Sequence, residues 1–243
     1  MTGFFKKRKP FCFAVHDYFC TMKKLLIAFG FVFSIHSANA QKKDWGSWTT
    51  VNVKKPFNQR WSTYAEFQLR SLSVTDRFYY YELKGGVTYS FLENYSLTLG
   101  TGLYNTFDEG PEFDGYSKQK EFRTWQQFIS DQKLSIINIE HRYRIEQRFT
   151  DSYANRFRYR LNVSIPLNKK EISAKALYAS VYDEVFFTDK LPHFSRNRFH
   201  TGAGYLFNKN ITLQMGWLRQ VDFLDQRQRR KNYFFTSFSV RLP

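Results

Sequence analysis

The stretch that decides the fold is residues 134–165, LSIINIEHRYRIEQRFTDSYANRFRYRLNVSI, where side-chain character alternates with a period of two. From Asn138 every second residue is polar or charged, and the residues between are mostly aliphatic or aromatic as far as Phe149. The alternation resumes after a short break at 150–152. A period of two is that of a β-strand with two different faces, whereas a helix would scatter these arginines around its axis. The stretch therefore predicts a β-hairpin with one apolar and one charged face.

The front of the chain carries an export signal. Residues 22–24 are Met-Lys-Lys, residues 25–35 are apolar, and an Ala-Asn-Ala motif ends at Ala40. A basic start, a short apolar segment and small residues at the cleavage point define a secretory signal peptide. The apolar segment is too short to cross a bilayer as a helix, which needs roughly 20 residues. We predict that 1–40 is a removed prepiece, cleaved after Ala40, with the true start at Met22.

The composition of the remaining chain, 41–243, excludes several classes of protein. The whole chain carries a net charge of +16, and the prepiece holds six Lys/Arg and one Asp, so its removal leaves +11. A basic soluble chain would suggest a nucleic-acid partner, but an exported chain meets none, so we expect no nucleic acid. The mean hydropathy of -0.53 excludes a polytopic helical membrane protein. Both cysteines, Cys12 and Cys20, lie in the prepiece, so no thiol or disulfide chemistry is expected in 41–243.

Alternating stretches continue along 41–243 and predict about eleven strands, with no convincing helix. Many are much longer than the typical 5 to 6 residues of strands in soluble proteins. They would suffice for the roughly 9 to 11 residues of a transmembrane strand, and in lipid such a sheet must close. Short turns alternate with generally longer loops, and aromatic residues suited to interfacial girdles occur at 79–81, 89, 95, 217 and 234–238. These features predict one all-β domain: a closed, antiparallel, up-and-down transmembrane β-barrel of about 10 to 12 strands with a small polar lumen, in the cell outer membrane.

The strand count leaves two alternatives open. Strands from Trp61 to Leu242 number ten, and bacterial single-chain barrels have even counts. Residues 45–54 would add an eleventh strand. Either this segment does not span the membrane, or a twelfth strand escapes detection.

Four motifs carry a family resemblance: DWGSW at 44–48, EFQLR at 66–70, RYRIEQR at 142–148 and NRFRYR at 155–160. With them, nearly all of 44–243 resembles an uncharacterised outer-membrane β-barrel family of Gram-negative bacteria that carries a domain-of-unknown-function label. The resemblance implies a barrel and a location, but no catalytic residue and no substrate. A protein of this kind would have outer-membrane lipid, lipopolysaccharide and the barrel-assembly machinery as partners.

The charged face of the predicted strands is the candidate site. A narrow lumen needs ion pairs because buried polar groups must be satisfied, so the face can be purely structural. Alternatively, rings of basic side chains select for anions, which makes a small anionic solute a possible partner; an unknown ligand is the third reading. The candidates are Glu121, Arg123, Glu140, Arg142, Arg144, Glu146, Arg148, Arg156, Arg158, Arg160, Arg196 and Arg198.

The turns between strands predict which of these charges face each other. If 131–132 is a two-residue turn, Glu140 lies opposite Arg123, and Arg142 lies opposite Glu121. Opposite charges in such pairs contribute roughly 0.2 to 1 kcal/mol each.

The next turn predicts both a favourable and an unfavourable pairing. If 150–152 is the loop, Glu146 lies opposite Arg156. Two pairs of like charges would also form and would need acids or anions from elsewhere: Arg144 with Arg158, and Arg142 with Arg160.

An acyl hydrolase is the alternative from a different functional class, since a serine and a histidine in contact could form a nucleophilic site. His141 falls on the apolar face, His193 in a loop, and His200 near Ser195 on the arginine-bearing strand, and no Gly-x-Ser-x-Gly motif occurs. We therefore expect a non-enzymatic barrel, acting as a structural protein, a narrow pore or a surface-ligand binder. We expect neither cofactor nor metal, because no EF-hand spacing links the acidic loop residues Asp108, Glu109, Glu112 and Asp114.

Overall fold

The computed structural model describes residues 45–107 and 117–243, which fold into β-strands. The predicted prepiece, its cleavage site and the acidic residues 108–114 lie outside these ranges. Eleven strands are described: β1 Trp45–Pro56, β2 Trp61–Ser71, β3 Phe78–Leu92, β4 Tyr95–Thr106, β5 Gln119–Leu134, β6 Ile137–Phe149, β7 Tyr153–Pro166, β8 Ala176–Thr188, β9 Phe194–Asn208, β10 Ile211–Leu224 and β11 Arg227–Arg241.

The strands form one closed barrel in which each pairs with its neighbours in the chain, and β1 pairs with β11. All consecutive pairs are antiparallel, whereas β1 and β11 run parallel, in register from Trp45 opposite Asn232 to Lys54 opposite Arg241. The predicted all-β closed barrel is confirmed. No helix within 45–107 and 117–243 is long and apolar enough to cross a membrane.

The expectation of an even strand count is wrong. Residues 45–54 belong to β1, which is a full member of the barrel, and the described chain contains no twelfth strand. A closed barrel needs an even number of strands only when every pair of neighbouring strands is antiparallel. The parallel pairing of β1 with β11 satisfies the backbone groups of both edges and closes an odd sheet.

The two ends of the barrel differ in their connections. What we call the N-terminal mouth is formed by Trp45, the connections 72–77, 150–152, 189–193 and 225–226, and the described residues 107 and 117–118. The C-terminal mouth is formed by Arg241 and the connections 57–60, 93–94, 135–136, 167–175 and 209–210.

Apolar side chains cover the outside of the barrel. Leu99 is 67% exposed, and Leu103 and Met215 are each 56% exposed. Aromatic side chains gather near both mouths. Near the N-terminal mouth Phe122 and Phe149 have ring centroids 5.9 Å apart, and other outward aromatic pairs at the two ends are Phe149–Tyr153, Phe194–Phe223, Trp61–Tyr89 and Phe91–Tyr95.

One part of the predicted aromatic girdle is wrong. Tyr79 and Tyr80 are only 8% and 7% exposed and line the interior, although Tyr81 lies outside against Phe107. The register between β2 and β3 shifts at Ser71, opposite Phe78. A register shift disturbs the strict alternation of faces, so two successive tyrosines can both point inward.

Glycines make room for large side chains inside the barrel. The Trp125 indole lies over Gly100 of the neighbouring strand, where a Cβ would collide with the ring. The Tyr178 ring lies over Gly204 in the same way. Trp125 is 1% exposed and Tyr178 8%, so these rings fill space between the barrel walls.

Candidate functional site

A cavity of about 800 Å³ occupies the inside of the barrel. Its lining reaches residues 150, 152 and 190–192 at the N-terminal mouth, and includes no described turn residue of the C-terminal mouth. Thirteen lysine and arginine side chains line it, against five carboxylates. The carboxylates belong to Glu66, Glu82, Glu121, Glu184 and Asp222.

Ten of the twelve predicted site residues line this cavity, and the other two, Glu140 and Glu146, bind arginines that do. Even with these two carboxylates added, thirteen cations face seven acids in the part of the chain that the structure describes. The wall therefore carries a positive excess that its own carboxylates do not neutralise.

The predicted register is correct on one side of β6 and wrong on the other. Glu146 lies opposite Arg156, as the 150–152 turn predicted. On the other side, β5 continues to Leu134, and Ser135, with φ of 57°, makes the turn instead of residues 131–132. Arg123 therefore faces Arg148 rather than Glu140, and Asp131 faces Glu140.

The arginine pair Arg123 and Arg148 is joined by one carboxylate. Glu121 accepts a hydrogen bond from Arg123 at 2.6 Å and from Arg148 Nε at 2.5 Å. Glu121 is 6% exposed, so the carboxylate offsets two partly desolvated charges. The prediction that Arg142 lies opposite Glu121 is wrong, because Arg142 lies opposite Ile129.

Two pairs of arginines do face each other across β6 and β7, as predicted: Arg142 with Arg160, and Arg144 with Arg158. Much of the compensating charge comes from β8. Glu184, 2% exposed, contacts Arg142 at 2.6 Å, Arg158 at 2.8 Å and Arg198 at 3.7 Å. This residue fell outside the sequence-based site because the facing of its strand could not be fixed.

Glu146 is the second centre of the network and is fully buried. Its carboxylate accepts hydrogen bonds from Arg156 and Arg158, and Arg144 lies 3.5 Å away. Arg160 pairs separately with Glu140 at 2.6 Å. Charges as deeply buried as Glu146 persist only when paired, so this carboxylate holds several guanidinium groups in fixed positions.

One aromatic ring lies among four of the arginines. Phe186 is 0% exposed, and the guanidinium carbons of Arg158 and Arg198 lie 4.6 and 4.7 Å from its ring centroid. Those of Arg156 and Arg196 lie at 5.4 and 5.8 Å. Cations within about 6 Å of a ring face are attracted to it, so Phe186 stabilises the cluster without cancelling its charge.

Two buried arginines have a glutamine as their closest partner. Gln127 Oε1 accepts hydrogen bonds from Arg144 at 2.9 and 2.5 Å, and Gln220 Oε1 accepts one from Arg198 Nε at 2.9 Å. Arg144 is 6% exposed and Arg198 8%. An amide oxygen fixes the guanidinium but leaves its charge, and the carboxylates lie farther away, at 3.5 Å for Arg144 and 3.7 Å for Arg198.

A second cluster on β2 and β3 was missed by the sequence reasoning. Lys84 Nζ lies 2.6 Å from both Glu66 and Glu82. Arg70 stacks 3.5 Å from the Trp48 ring centroid and lies 3.5 Å from Glu82. The alternation of polar and apolar residues in β2 and β3 could have identified this cluster, because its residues occupy the polar face of their strands. That alternation is weaker there than in β6 and β7.

The loop residue Asp189 joins its loop to the start of β7 at the N-terminal mouth. Its carboxylate accepts hydrogen bonds from the backbone N–H of Asn155 and from the Asn155 side-chain amide, both at 2.9 Å. These donors favour the ionised form, so they hold the pKa of Asp189 below its ordinary value. The neighbouring Lys190 donates to Ser152 Oγ at 3.2 Å.

The three described histidines are far from forming a nucleophilic site. His141 Nδ1 lies 2.9 Å from the Tyr159 hydroxyl on the outside, and His193 Nδ1 lies 3.1 Å from a backbone carbonyl. His200 is fully buried and stacks on Tyr182 at 4.7 Å. None of them contacts a serine hydroxyl within the described chain, and no group of three potential metal ligands occurs there.

The comparisons with known proteins identify a family but no activity. A family model described as "Protein of unknown function (DUF2490)" matches residues 45–231. No curated protein and no solved structure gives a match to the sequence.

Proposed function

The chain belongs to this family of unknown function, and we propose that it is an outer-membrane β-barrel of Gram-negative bacteria that binds a small anionic solute in its cavity. The solute enters from the N-terminal mouth. In this proposal the protein is exported by its signal peptide, is assembled by the barrel-assembly machinery, and contacts outer-membrane lipid and lipopolysaccharide. It is a binding barrel and has no enzymatic role.

The outer surface supports the membrane location. Outward positions on the strands carry large apolar side chains such as Leu99, Leu103 and Met215, and aromatic pairs gather near both mouths. An apolar band between aromatic girdles is typical of barrels that cross an outer membrane. In water the same surface would expose far more contiguous apolar area than a soluble monomer tolerates.

The single observation that carries the anion proposal is the excess of guanidinium groups around the cavity. Within 45–107 and 117–243, thirteen cations line it, and seven carboxylates either line it or pair with these cations. A purely structural network would approach balance, because uncompensated buried charge destabilises a fold. Arg144 and Arg198, which are held by glutamines, are the side chains we expect to contact the anion first.

Calorimetric titration of the detergent-purified barrel with tripolyphosphate tests this proposal. We expect saturable binding that weakens as salt rises from 50 to 500 mM, since added ions screen the attraction. Arg144→Gln and Arg198→Gln should each weaken binding about tenfold. Arg230→Gln is the matched control, because Arg230 is exposed, donates a hydrogen bond to Gln228 and does not line the cavity. Equal binding by all three variants, or no binding by the native barrel, would refute the proposal.

Planar-bilayer recordings distinguish a barrel that only binds the solute in its cavity from a pore that conducts ions. Because no described turn residue of the C-terminal mouth lines the cavity, we expect no stepwise conductance. Anion-selective steps that tripolyphosphate blocks would contradict this expectation and make the protein a narrow anion channel instead.

A further inference from the structure

Two charged side chains stand alone on the apolar outside of the barrel. Asp183 alternates with the cavity-lining Tyr182 and Glu184 on β8, so it points outward, and it is exposed. Arg219 points outward on β10, next to the cavity-lining Gln220. Asp183 lies five residues before the end of β8 at Thr188, and Arg219 five residues before the end of β10 at Leu224. Other outward Asp, Glu, Lys or Arg side chains on the described strands lie closer to a strand end.

These two charges lie in one row across three strands. Asp183 pairs with Phe199 of β9, and Phe199 pairs with Arg219 of β10. Adjacent strands are about 4.8 Å apart, so the two backbones are roughly 10 Å apart. Asp183 accepts a hydrogen bond from Asn197 at 2.8 Å, and Arg219 forms no ion pair within the described chain.

Isolated charges in this position are costly if the surface faces lipid. Lysine and arginine near the bilayer midplane destabilise a barrel by several kcal/mol, and acidic residues by less. Charged residues at this depth are rare and usually mark a functional contact. A partner that supplies the opposite charge would remove the cost at both residues.

A second copy of the chain supplies both charges at once. In a two-fold dimer the same patch meets itself, so residue i contacts j and j contacts i. A two-fold axis parallel to the barrel axis and passing beside Phe199 places β8 of one copy against β10 of the other. Because the strands of such barrels tilt by about 35–45° from the axis, Asp183 of each copy lies about 6 Å along the axis from Arg219 of its partner. The long arginine side chain can span this offset, which gives two equivalent ion pairs.

The geometry points to a homodimer that forms through the outer face of β8, β9 and β10, with Phe199 at its centre and two Asp183–Arg219 pairs. The inference rests on the membrane location proposed above, because embedding in one bilayer keeps the two barrel axes parallel. It is independent of what the cavity binds.

Cysteine cross-linking in isolated outer membranes tests the dimer. Residues 45–243 contain no cysteine, and Cys12→Ser with Cys20→Ser removes the two in the prepiece. Phe199→Cys should then give a disulfide-linked dimer with copper phenanthroline. Leu99→Cys, at a 67% exposed outward position on β4, is the matched control and should remain monomeric.

Charge reversal in the Phe199→Cys chain tests the pairing. Asp183→Arg should lower the cross-linked fraction about tenfold, equivalent to about 1.4 kcal/mol, and adding Arg219→Asp should restore it. Heat-modifiable gel mobility reports whether Asp183→Arg impairs folding. If it does, Asp183→Asn removes the charge instead and should also lower the cross-linked fraction. Equal cross-linking at Phe199 and Leu99, or an unchanged yield after Asp183→Arg and Asp183→Asn, would overturn the dimer. Absence of the protein from the membrane fraction would instead overturn the proposed location.

Discussion

Replacing Glu184 with Gln removes one negative charge from the centre of the arginine network and keeps the shape of the side chain. The carboxylate is 2% exposed and lies within 4 Å of Arg142, Arg158 and Arg198. Of these, only Arg158 has a second carboxylate within ion-pair distance, that of Glu146. After the change, Arg142 and Arg198 have no carboxylate partner within the described chain, and the charge of Arg142 repels Arg160 directly opposite.

The magnitude follows from the number of buried partners that lose a counter-charge. Removing one member of a buried ion pair costs about 3 to 5 kcal/mol, because the remaining charge stays desolvated. The glutamine amide oxygen still accepts one hydrogen bond, so we expect a loss of about 3 kcal/mol in the free energy of unfolding. Glu140→Gln is the matched control. It breaks one pair whose side chains are 22% and 26% exposed, and should cost about 1 kcal/mol.

The assay is equilibrium urea unfolding of the barrel in lipid vesicles, followed by tryptophan fluorescence and by heat-modifiable gel mobility. Both variants and the native protein are compared in the same lipid, so that differences in midpoint report stability. The double variant Glu184→Gln, Arg142→Gln should recover part of the loss, since it removes one of the two arginine charges left without a carboxylate. A loss from Glu184→Gln no larger than that from Glu140→Gln would refute the view that Glu184 neutralises several arginines.

Three further perturbations test other parts of the structure. Gly100→Ala should destabilise the barrel by about 1 to 3 kcal/mol in the same urea assay, because the added Cβ meets the Trp125 ring, and Trp125→Leu in the same chain should relieve the effect. Leu99→Arg should cost about 2 to 4 kcal/mol in vesicles if the outer wall faces lipid, whereas an unchanged midpoint would mean that the wall faces water. The contact of Asp189 with Asn155 should be complete above the unfolded-state pKa of about 3.9 and lost as pH falls through the lowered pKa of Asp189. The loss of this contact is measured by hydrogen exchange of the Asn155 backbone amide at pH 6 and at pH 2.5, corrected for intrinsic rates. Equal protection of the amide at the two pH values would contradict the prediction.

The strands that the sequence predicts best are those whose two faces differ most. β6 and β7 alternate almost without exception, and the polar break at 150–152 sets their register, so Glu146 opposite Arg156 could be foreseen. The turn before β6 could not. Asp131 and Gln132 have the polarity of a turn, but polar residues also suit a strand end near a mouth, and the chain turns at Ser135 instead.

β8 shows why the most connected acid escaped detection. It carries an apolar residue on the inner face, Phe186, and an acid on the outer face, Asp183, so neither face has a consistent character. The ring of Phe186 is stable inside only because arginines of β7 and β9 surround it. Such contacts lie between neighbouring strands, and periodicity along one strand contains no information about them. Without the facing of β8, Glu184 could not be assigned to the lumen.

The parallel pairing of β1 with β11 has a consequence for how the barrel is assembled. Ten of its eleven strand pairings join neighbours in the chain, so the sheet can grow one hairpin at a time as an open ribbon. The eleventh joins Trp45 to Asn232, the pairing between the described strands most distant in sequence, and we expect it to form last. Until then two unpaired edges remain, and closing them carries the entropy cost of the longest loop in the molecule. Closure of this seam, rather than formation of any single hairpin, is the step we expect to limit the rate of folding, and the seam is where a destabilised barrel should first open.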